Sequence, residues 1–148
     1  MKTSTSEKAT RMRVLFDTNV LIDFLLDRAP FAASAADLLS RADRGQIHGL
    51  ACADSFTTIF YLMQKAIGRE AARRHISSLL SVLDVTPVNR ATLEHAAESS
   101  LRDFEDAVVA ESGRQADVDC IVTRNERDFA GSRVTVHSPR SLLALLAE

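Results

Sequence analysis

The sequence is poor in cysteine and in large aromatic residues. It has two cysteines, one tyrosine and no tryptophan among 148 residues. Cys52 and Cys120 both lie in apolar surroundings, which favours two buried thiols in a reducing compartment, with one disulfide in a secreted protein as the alternative. Because aromatic side chains are so few, we expect the phenylalanines to form core or pocket wall rather than a platform for stacking bases.

The sequence also lacks a strong charge of either sign and any long apolar segment. The 18 Lys and Arg against 20 Asp and Glu give a net charge of −2, so composition alone offers no electrostatic argument for nucleic-acid binding. No apolar run approaches the roughly 20 residues needed to cross a bilayer. Residues 1–13 lack the apolar segment of a signal peptide. We therefore expect a cytoplasmic protein with no membrane partner.

Short apolar runs alternate with helical patterns along the chain. Residues 1–12 are predicted to be a flexible polar leader, and residues 13–148 a single domain. The predicted strands are five short apolar runs at 13–16, 49–53, 82–86, 120–123 and 134–136. Strands that alternate with helices predict an α/β fold whose parallel sheet is covered on both faces.

Capping residues mark several helix boundaries. Gly45 is predicted to end a helix over 33–44. Asp54 or Ser55 is predicted to cap the helix after the second strand. Ser138 followed by Pro139 is typical of a helix start. The serine hydroxyl accepts from an N–H of the first turn, and the N–H that proline lacks would have no partner within the helix.

Three acidic residues lie where such a fold would bring them to one place. Asp17 directly follows the first strand, at the edge of the sheet where open α/β folds bind ligands. Asp103 and Asp106 are three apart near a helix start, which places both carboxylates on one face, and we expect Glu105 between them to point elsewhere. The alternative is structural, with Asp17 as a helix cap and the pair as dipole partners.

Polar residues also follow the fourth strand. Thr123, Arg124 and Asn125 come directly after it, and Asp128 lies three residues further on. Converging carboxylates repel one another unless a cation neutralises them, and hard oxygen ligands favour Mg²⁺ or Mn²⁺ over zinc. Such a cation can activate water and offset charge on a phosphoryl group. Arg124 is a candidate phosphate ligand because it follows a site strand.

Three segments, in the right order, resemble the motifs of PIN domains. They are the opening motif at 15–23 (LFDTNVLID), the central acidic motif at 103–110 (DFEDAVVA) and the closing motif at 121–129 (IVTRNERDF). The resemblance covers the chain from about residue 13 to residue 138. It implies a three-layer α/β/α sandwich with a central parallel sheet of about five strands. It also implies a metal-dependent endoribonuclease, similar to the VapC-like toxins of toxin–antitoxin pairs.

The resemblance implies roles for individual residues. Asp17 and Asp106 would be the ligands of Mg²⁺ or Mn²⁺, Asp103 a supporting acid, and Thr123 and Asn125 would lie at the pocket edge. The implied catalytic set is Asp17, Asp103, Asp106 and Asn125. The residues expected to contact substrate flank the first and fourth strands: Thr18, Asn19, Thr123 and Arg124. The implied partners are an RNA substrate, a small antitoxin protein and a second copy of the chain in a homodimer.

Two positions depart from the family's pattern. The family usually has an acid on the helix after the second strand, where this chain has Thr58, and many relatives have aspartate where it has Asn125. Asp54 and Asp128 are candidates to compensate, although Asp54 is also a candidate helix cap. Since fewer charges mean weaker metal binding, a catalytically inactive scaffold that binds RNA or protein is the alternative function.

Two other enzyme classes fit the sequence less well. A receiver-like phosphoacceptor with Asp17 as nucleophile would need paired acids before the first helix and a lysine after a late strand, where Arg124 stands. A haloacid-dehalogenase-type phosphatase would need an acid two residues beyond Asp17, where Asn19 stands. The four histidines have no metal-binding spacing.

Overall fold

The computed structural model describes residues 11–148. The predicted leader at 1–12 therefore lies outside the described residues except for its last two. Met12 packs against the core, and its carbonyl oxygen accepts from the N–H of His48 at 2.8 Å. Arg11 donates from Nη1 to the carbonyl oxygen of Gly45 at 3.4 Å.

Along the described residues 11–148, five strands and seven α-helices alternate, as the sequence patterns predict. In chain order they are β1 Arg13–Phe16, α1 Thr18–Leu25, α2 Ala32–Asp43, β2 His48–Cys52, α3 Ala53–Ile67, α4 Arg69–Val82, β3 Asp84–Thr86, α5 Arg90–Glu98, α6 Phe104–Gln115, β4 Cys120–Val122, a 3₁₀ turn Glu126–Phe129, β5 Val136–His137 and α7 Pro139–Leu146. Within residues 11–148, no helix is both long and apolar enough to cross a membrane.

The strands form one parallel sheet in the order β3-β2-β1-β4-β5. β2 and β3 lie on one side of β1, and β4 and β5 lie on the other side. Between β1 and β4 the direction of winding reverses, and open parallel sheets bind ligands beyond the carboxyl ends of strands at such a point. Asp17 directly follows β1 and Thr123 directly follows β4.

Two apolar layers cover the two faces of the sheet, which confirms the three-layer α/β/α prediction. Val14 and Phe16 of β1 pack into one cluster with α1, α2, α3, α4 and α7, whereas Leu15 packs into the other with α5 and α6. This division follows from strand geometry, because successive side chains point to opposite faces. Cys52 and Cys120 are buried free thiols, as predicted.

Several predicted boundaries hold. Gly45 follows α2 with φ of 76°, a conformation that glycine adopts without the steric cost of a side chain. The hydroxyl of Ser138 accepts from the N–H of Ser141 at 3.1 Å, and Pro139 is the first residue of α7.

Other boundaries differ from the predictions by one to three residues. The predicted cap at Asp54 or Ser55 is wrong, because α3 begins at Ala53 and its N-cap, Cys52, makes no side-chain capping bond. The predicted third strand at 82–86 is too long, since α4 continues to Val82. The fifth strand is Val136–His137 rather than 134–136.

Candidate active site

Asp17 is held rigidly at the carboxyl end of β1. It is the N-cap of α1, where its Oδ1 accepts from the N–H of Thr18 at 2.9 Å. Its Oδ2 accepts from the hydroxyl of Thr123, beyond the end of β4, at 2.8 Å. Only 3% of Asp17 is exposed. One carboxylate is therefore fixed by groups from both strands that flank the reversal point.

The surroundings of Asp17 disfavour its charged form. Burial raises the pKa of Asp17 from 3.8 to about 6, and the hydrogen bonds from Thr123 and Thr18 oppose that rise. The nearby charges of Glu105 and Asp128 add to the rise in pKa. The acidic groups that raise this pKa come from α6 and the 3₁₀ turn, so several elements contribute negative charge to one place.

The first turn of α6 supplies the second part of the cluster. Asp103 is its N-cap and accepts from the N–H of Asp106 at 3.0 Å, as the helix-start pattern predicts. Burial and, to a smaller extent, the charges of Asp17, Asp103, Asp128 and Glu105 together raise the pKa of Asp106 to about 7. Asp106 is half-buried and Asp103 is exposed. The structure thus brings Asp17 and Asp106, which are far apart in sequence, within electrostatic reach of each other.

An open cleft of about 330 Å³ lies over the acids of α6, lined by Arg102, Asp103, Asp106 and Asp128. Asp128 is carried by the 3₁₀ turn that Phe129, 2% exposed, anchors in the core. Asp128 thus lies at the same cleft as Asp103 and Asp106, and its role in compensating for Asn125 stays a prediction.

Thr18 and Thr123 are more buried than expected for substrate contacts. Thr123 is 0% exposed, which corrects its expected place at the pocket edge, because its hydroxyl lies behind the Asp17 carboxylate and accepts from the N–H of Asn125 at 3.1 Å. Thr18 is 7% exposed, and its hydroxyl donates to Oγ of Ser55 at 2.7 Å. Both hydroxyls order the site from behind and are not open to a substrate.

Asn125 and Asn19 are both half-buried. Asn125 begins the 3₁₀ turn directly after the fourth strand, and its carbonyl oxygen accepts from the N–H of Asp128 at 3.0 Å. Asn19 lies in the first turn of α1. Their expected roles in catalysis and substrate contact stay predictions.

Glu105 does not point away from the cluster, which corrects the prediction from spacing. Its Oε1 accepts from the hydroxyl of Thr58 on α3 at 3.0 Å. Adjacent helical residues are rotated by about 100°, so Glu105 can face α3 while Asp106 faces the cleft. The sequence carries no local signal for this contact, because the two residues are 47 positions apart.

Arg124 is tied to an acid that the sequence analysis missed. Its Nε donates to Oδ2 of Asp23 at 2.7 Å, and its guanidinium lies 4.5 Å from the ring centre of Phe31. Asp23 is 1% exposed, so the pair anchors the segment after β4 to α1. The sequence did contain a signal for this role of Asp23, because an acid among the apolar residues of α1 needs a partner if it is buried. Arg124 is still partly exposed, with 27% of its side chain accessible.

The chemistry of this donor set fits a hard divalent cation. A cation near Asp17 and Asp106 would relieve the burial and repulsion that raise their pKa values. Within residues 11–148, no group of three or more His, Cys, Asp or Glu residues is arranged to hold a metal ion. A cation held by Asp17 and Asp106 alone would therefore keep several waters, as Mg²⁺ does in protein sites.

Comparisons with known proteins agree with this architecture. A search of curated proteins finds no match. Among solved structures, VapBC2 from Rickettsia felis, bound to a DNA fragment from its promoter, superposes with a TM-score of 0.68 at 14% identity, covering 86% of this chain and 98% of that one. A toxin–antitoxin complex from Klebsiella pneumoniae gives 0.65 at 22% identity, covering 85% and 97%.

A third solved structure is VapC20 of Mycobacterium tuberculosis, a sarcin–ricin-loop-cleaving toxin. It superposes with a TM-score of 0.61 at 17% identity, covering 73% of this chain and 86% of that one. At these identities the likeness establishes the fold. The family model described as "PIN domain" matches residues 13–127, which is most of the chain and includes Asp17, Asp106 and Asn125. This chain therefore belongs to the PIN domain family.

Proposed function

We propose that this protein is a divalent-metal-dependent endoribonuclease and the toxin of a toxin–antitoxin pair. The observation that carries the proposal is the pair Asp17 and Asp106, which two separate elements hold in a position where both pKa values rise toward neutrality. PIN domains as a family include nucleases, and the structural relatives include toxin–antitoxin complexes and a toxin that cleaves the sarcin–ricin loop.

Asp17 and Asp106 would hold Mg²⁺ or Mn²⁺. Thr123 fixes the rotamer of Asp17 through the 2.8 Å hydrogen bond, and Asp103 orders the first turn of α6 beneath Asp106. When bound, such a cation makes water a better nucleophile at neutral pH and offsets charge developing on the phosphate. Asn125 would complete the catalytic set.

The cleft contains both positively and negatively charged side chains. The positive groups suit an RNA strand, and the negative groups suit a basic protein inhibitor. Arg102 lines the cleft with the acids, and Arg124 is partly exposed beside it, so both could contact phosphate. An arginine from a small antitoxin could instead pair with the acids and block metal and RNA. We also propose a cytoplasmic location and a homodimer.

The test is cleavage of end-labelled structured RNAs by the purified protein in Mn²⁺, Mg²⁺ and EDTA. We expect cutting in either metal, none in EDTA, and none by an Asp17→Asn Asp106→Asn double variant. Asp37→Asn removes one carboxylate from an exposed pair with Arg41 on α2 and should cut like wild type. Metal-independent cutting, or full activity in the double variant, would show that these acids are not the active site.

A PIN scaffold that binds RNA or protein without cutting is the second candidate. Thr58 and Asn125, in place of acids, favour it. Calorimetry with Mg²⁺ and Mn²⁺ separates the two functions, because a nuclease site must bind metal at millimolar concentration. No heat of binding, together with no cutting of several RNAs, would leave the scaffold function.

A further inference from the structure

One face of α3 links the two helices that carry the site acids. Ser55 and Thr58 are three residues apart and so lie on the same face of α3. Ser55 accepts from the hydroxyl of Thr18, the first residue of α1, at 2.7 Å. Thr58 donates to Glu105, in the first turn of α6, at 3.0 Å. This polar face therefore ties α3 to both helices, and it fixes the direction of the Glu105 side chain.

Glu105 lies among other acids and has a neutral side-chain partner. It is half-buried, and it follows the N-cap Asp103 and precedes Asp106 in the same helical turn. No salt bridge found in residues 11–148 includes it. Its partner from α3 is a neutral hydroxyl, which orients a carboxylate but does not neutralise it. Because the Thr58 hydroxyl orients the Glu105 carboxylate among other acids without neutralising it, we expect a cation to be a second partner of this carboxylate.

We propose that Glu105 is a further acid that supports the cation site from outside the direct ligands and that Thr58 is its positioning residue. This inference rests on the proposed metal-dependent function. Since no three acidic or other ligating residues converge within the described part of the chain, Glu105 acts on the cation across water rather than by direct contact. The negative charge that the family usually brings on the helix after the second strand then comes from α6, and Thr58 holds it in place.

A purely structural contact between α3 and α6 makes different predictions. If the Thr58–Glu105 hydrogen bond served only to join the helices, its loss would lower the stability of the metal-free protein and leave metal affinity unchanged. If Glu105 serves the cation, its neutralisation removes repulsion in the metal-free protein and weakens metal binding. The two cases therefore differ in both measurements. The structural case lowers stability in EDTA and leaves metal affinity unchanged, whereas the cation case lowers metal affinity without lowering stability in EDTA.

The experiment is calorimetric titration of the full-length protein with Mn²⁺ alone, with no RNA present. We expect Glu105→Gln to weaken the affinity by about 10- to 100-fold, as for other groups that support a metal from outside its direct ligands. Thr58→Val should weaken it less, since the carboxylate remains but loses its donor. Glu126→Gln is the matched control, because it removes the same charge from an exposed residue of the 3₁₀ turn and should bind like wild type.

A double variant, Thr58→Glu Glu105→Gln, tests the position of the charge. This variant places a carboxylate at position 58 on α3 and an amide at position 105 on α6, and the amide can donate a hydrogen bond to the carboxylate. We expect it to recover most of the Mn²⁺ affinity that Glu105→Gln loses. Melting in EDTA should show Glu105→Gln to be at least as stable as wild type.

The outcomes separate this inference from the proposed function. Wild-type Mn²⁺ affinity in Glu105→Gln overturns the inference and leaves the metal site of Asp17 and Asp106 standing. Reduced stability of Glu105→Gln in EDTA, with no recovery of affinity in the double variant, also overturns it in favour of a structural contact. A wild-type protein that binds no Mn²⁺ overturns both the inference and the proposed function.

Discussion

Replacing Asp17 with asparagine should stabilise the metal-free protein. The aspartate is 3% exposed, and burial is the largest cause of its raised pKa. An amide of nearly the same shape carries no charge and can still accept from the N–H of Thr18. The variant thus removes the cost of the buried charge while keeping the local packing.

The size of the effect follows from the pKa. Below the ordinary value of 3.8, Asp17 is protonated in both states and contributes nothing. As pH rises from 3.8 to about 6, the unfolded chain loses the proton first, so the stability of the folded state falls. Above that range, the difference of about two pH units corresponds to about 3 kcal/mol, which Asp17→Asn should largely recover.

The assay is urea unfolding in EDTA at pH 8 and at pH 4, with thermal melting beside it. At pH 8 the gain of about 3 kcal/mol corresponds to a rise in Tm of roughly 6 to 12 °C for a chain of this size. At pH 4 the variant and wild type should nearly coincide. The control is Asp37→Asn, which removes an exposed ion pair with Arg41 and should change stability by under about 0.5 kcal/mol.

A single result would refute this reasoning. If Asp17→Asn is no more stable than wild type at pH 8 in EDTA, then the buried carboxylate is not a cost to the fold, and its cap and hydrogen bonds outweigh burial. Adding Mn²⁺ should reverse the order of stability, because only the wild type gains the free energy of binding metal.

Three further predictions concern groups around the site. Thr123→Val removes the donor that orients the Asp17 carboxylate and should weaken Mn²⁺ affinity by about 10- to 100-fold in calorimetry. Arg124→Ala leaves the 1%-exposed carboxylate of Asp23 without its 2.7 Å partner and should cost about 3 kcal/mol in urea unfolding at pH 7. Gly113→Ala should cost about 1–3 kcal/mol, since its new Cβ would lie 2.8 Å from Cδ2 of Leu15 in the sheet.

Matched variants test the specificity of these effects. Thr57→Val removes an exposed hydroxyl of α3 that donates to a backbone carbonyl and should leave Mn²⁺ affinity unchanged. Arg41→Ala removes a more exposed ion pair and should change stability by under about 1 kcal/mol. Gly68 has nothing within 4 Å of a new Cβ, so alanine there meets no clash, although its φ of 89° still carries backbone strain. Equal effects within any pair would contradict the corresponding prediction.

The fold was predictable because its signals are local. Short apolar runs marked all five strands, and the first strand was predicted at its observed bounds, Arg13–Phe16. The errors arose where apolar residues belong to a neighbouring element. Val82 ends α4 rather than starting β3, because the helix and the strand both bury aliphatic side chains and no breaker separates them.

The site was predictable in part. The strand-end rule located Asp17, and the three-residue spacing near a helix start located Asp103 and Asp106; in the structure, the charges of Asp17 and Asp103 both raise the pKa of Asp106. The contacts of Glu105 and Asp23 were not predictable, because each joins segments that are distant in sequence. The burial of Thr123 was missed for a related reason, since its hydroxyl is used by a residue 106 positions earlier.

The bond between Thr123 and Asp17 also bears on the synthesis of the protein. Asp17 and Asp106 leave the ribosome before the strand that ends at Val122 and before Thr123, so a growing chain carries both acids while one of them still lacks its donor. Pairing of β4 with β1 brings that donor into place. If the protein cuts RNA as we propose, a nascent chain attached to its own messenger has an unfinished site until β4 and Thr123 have emerged.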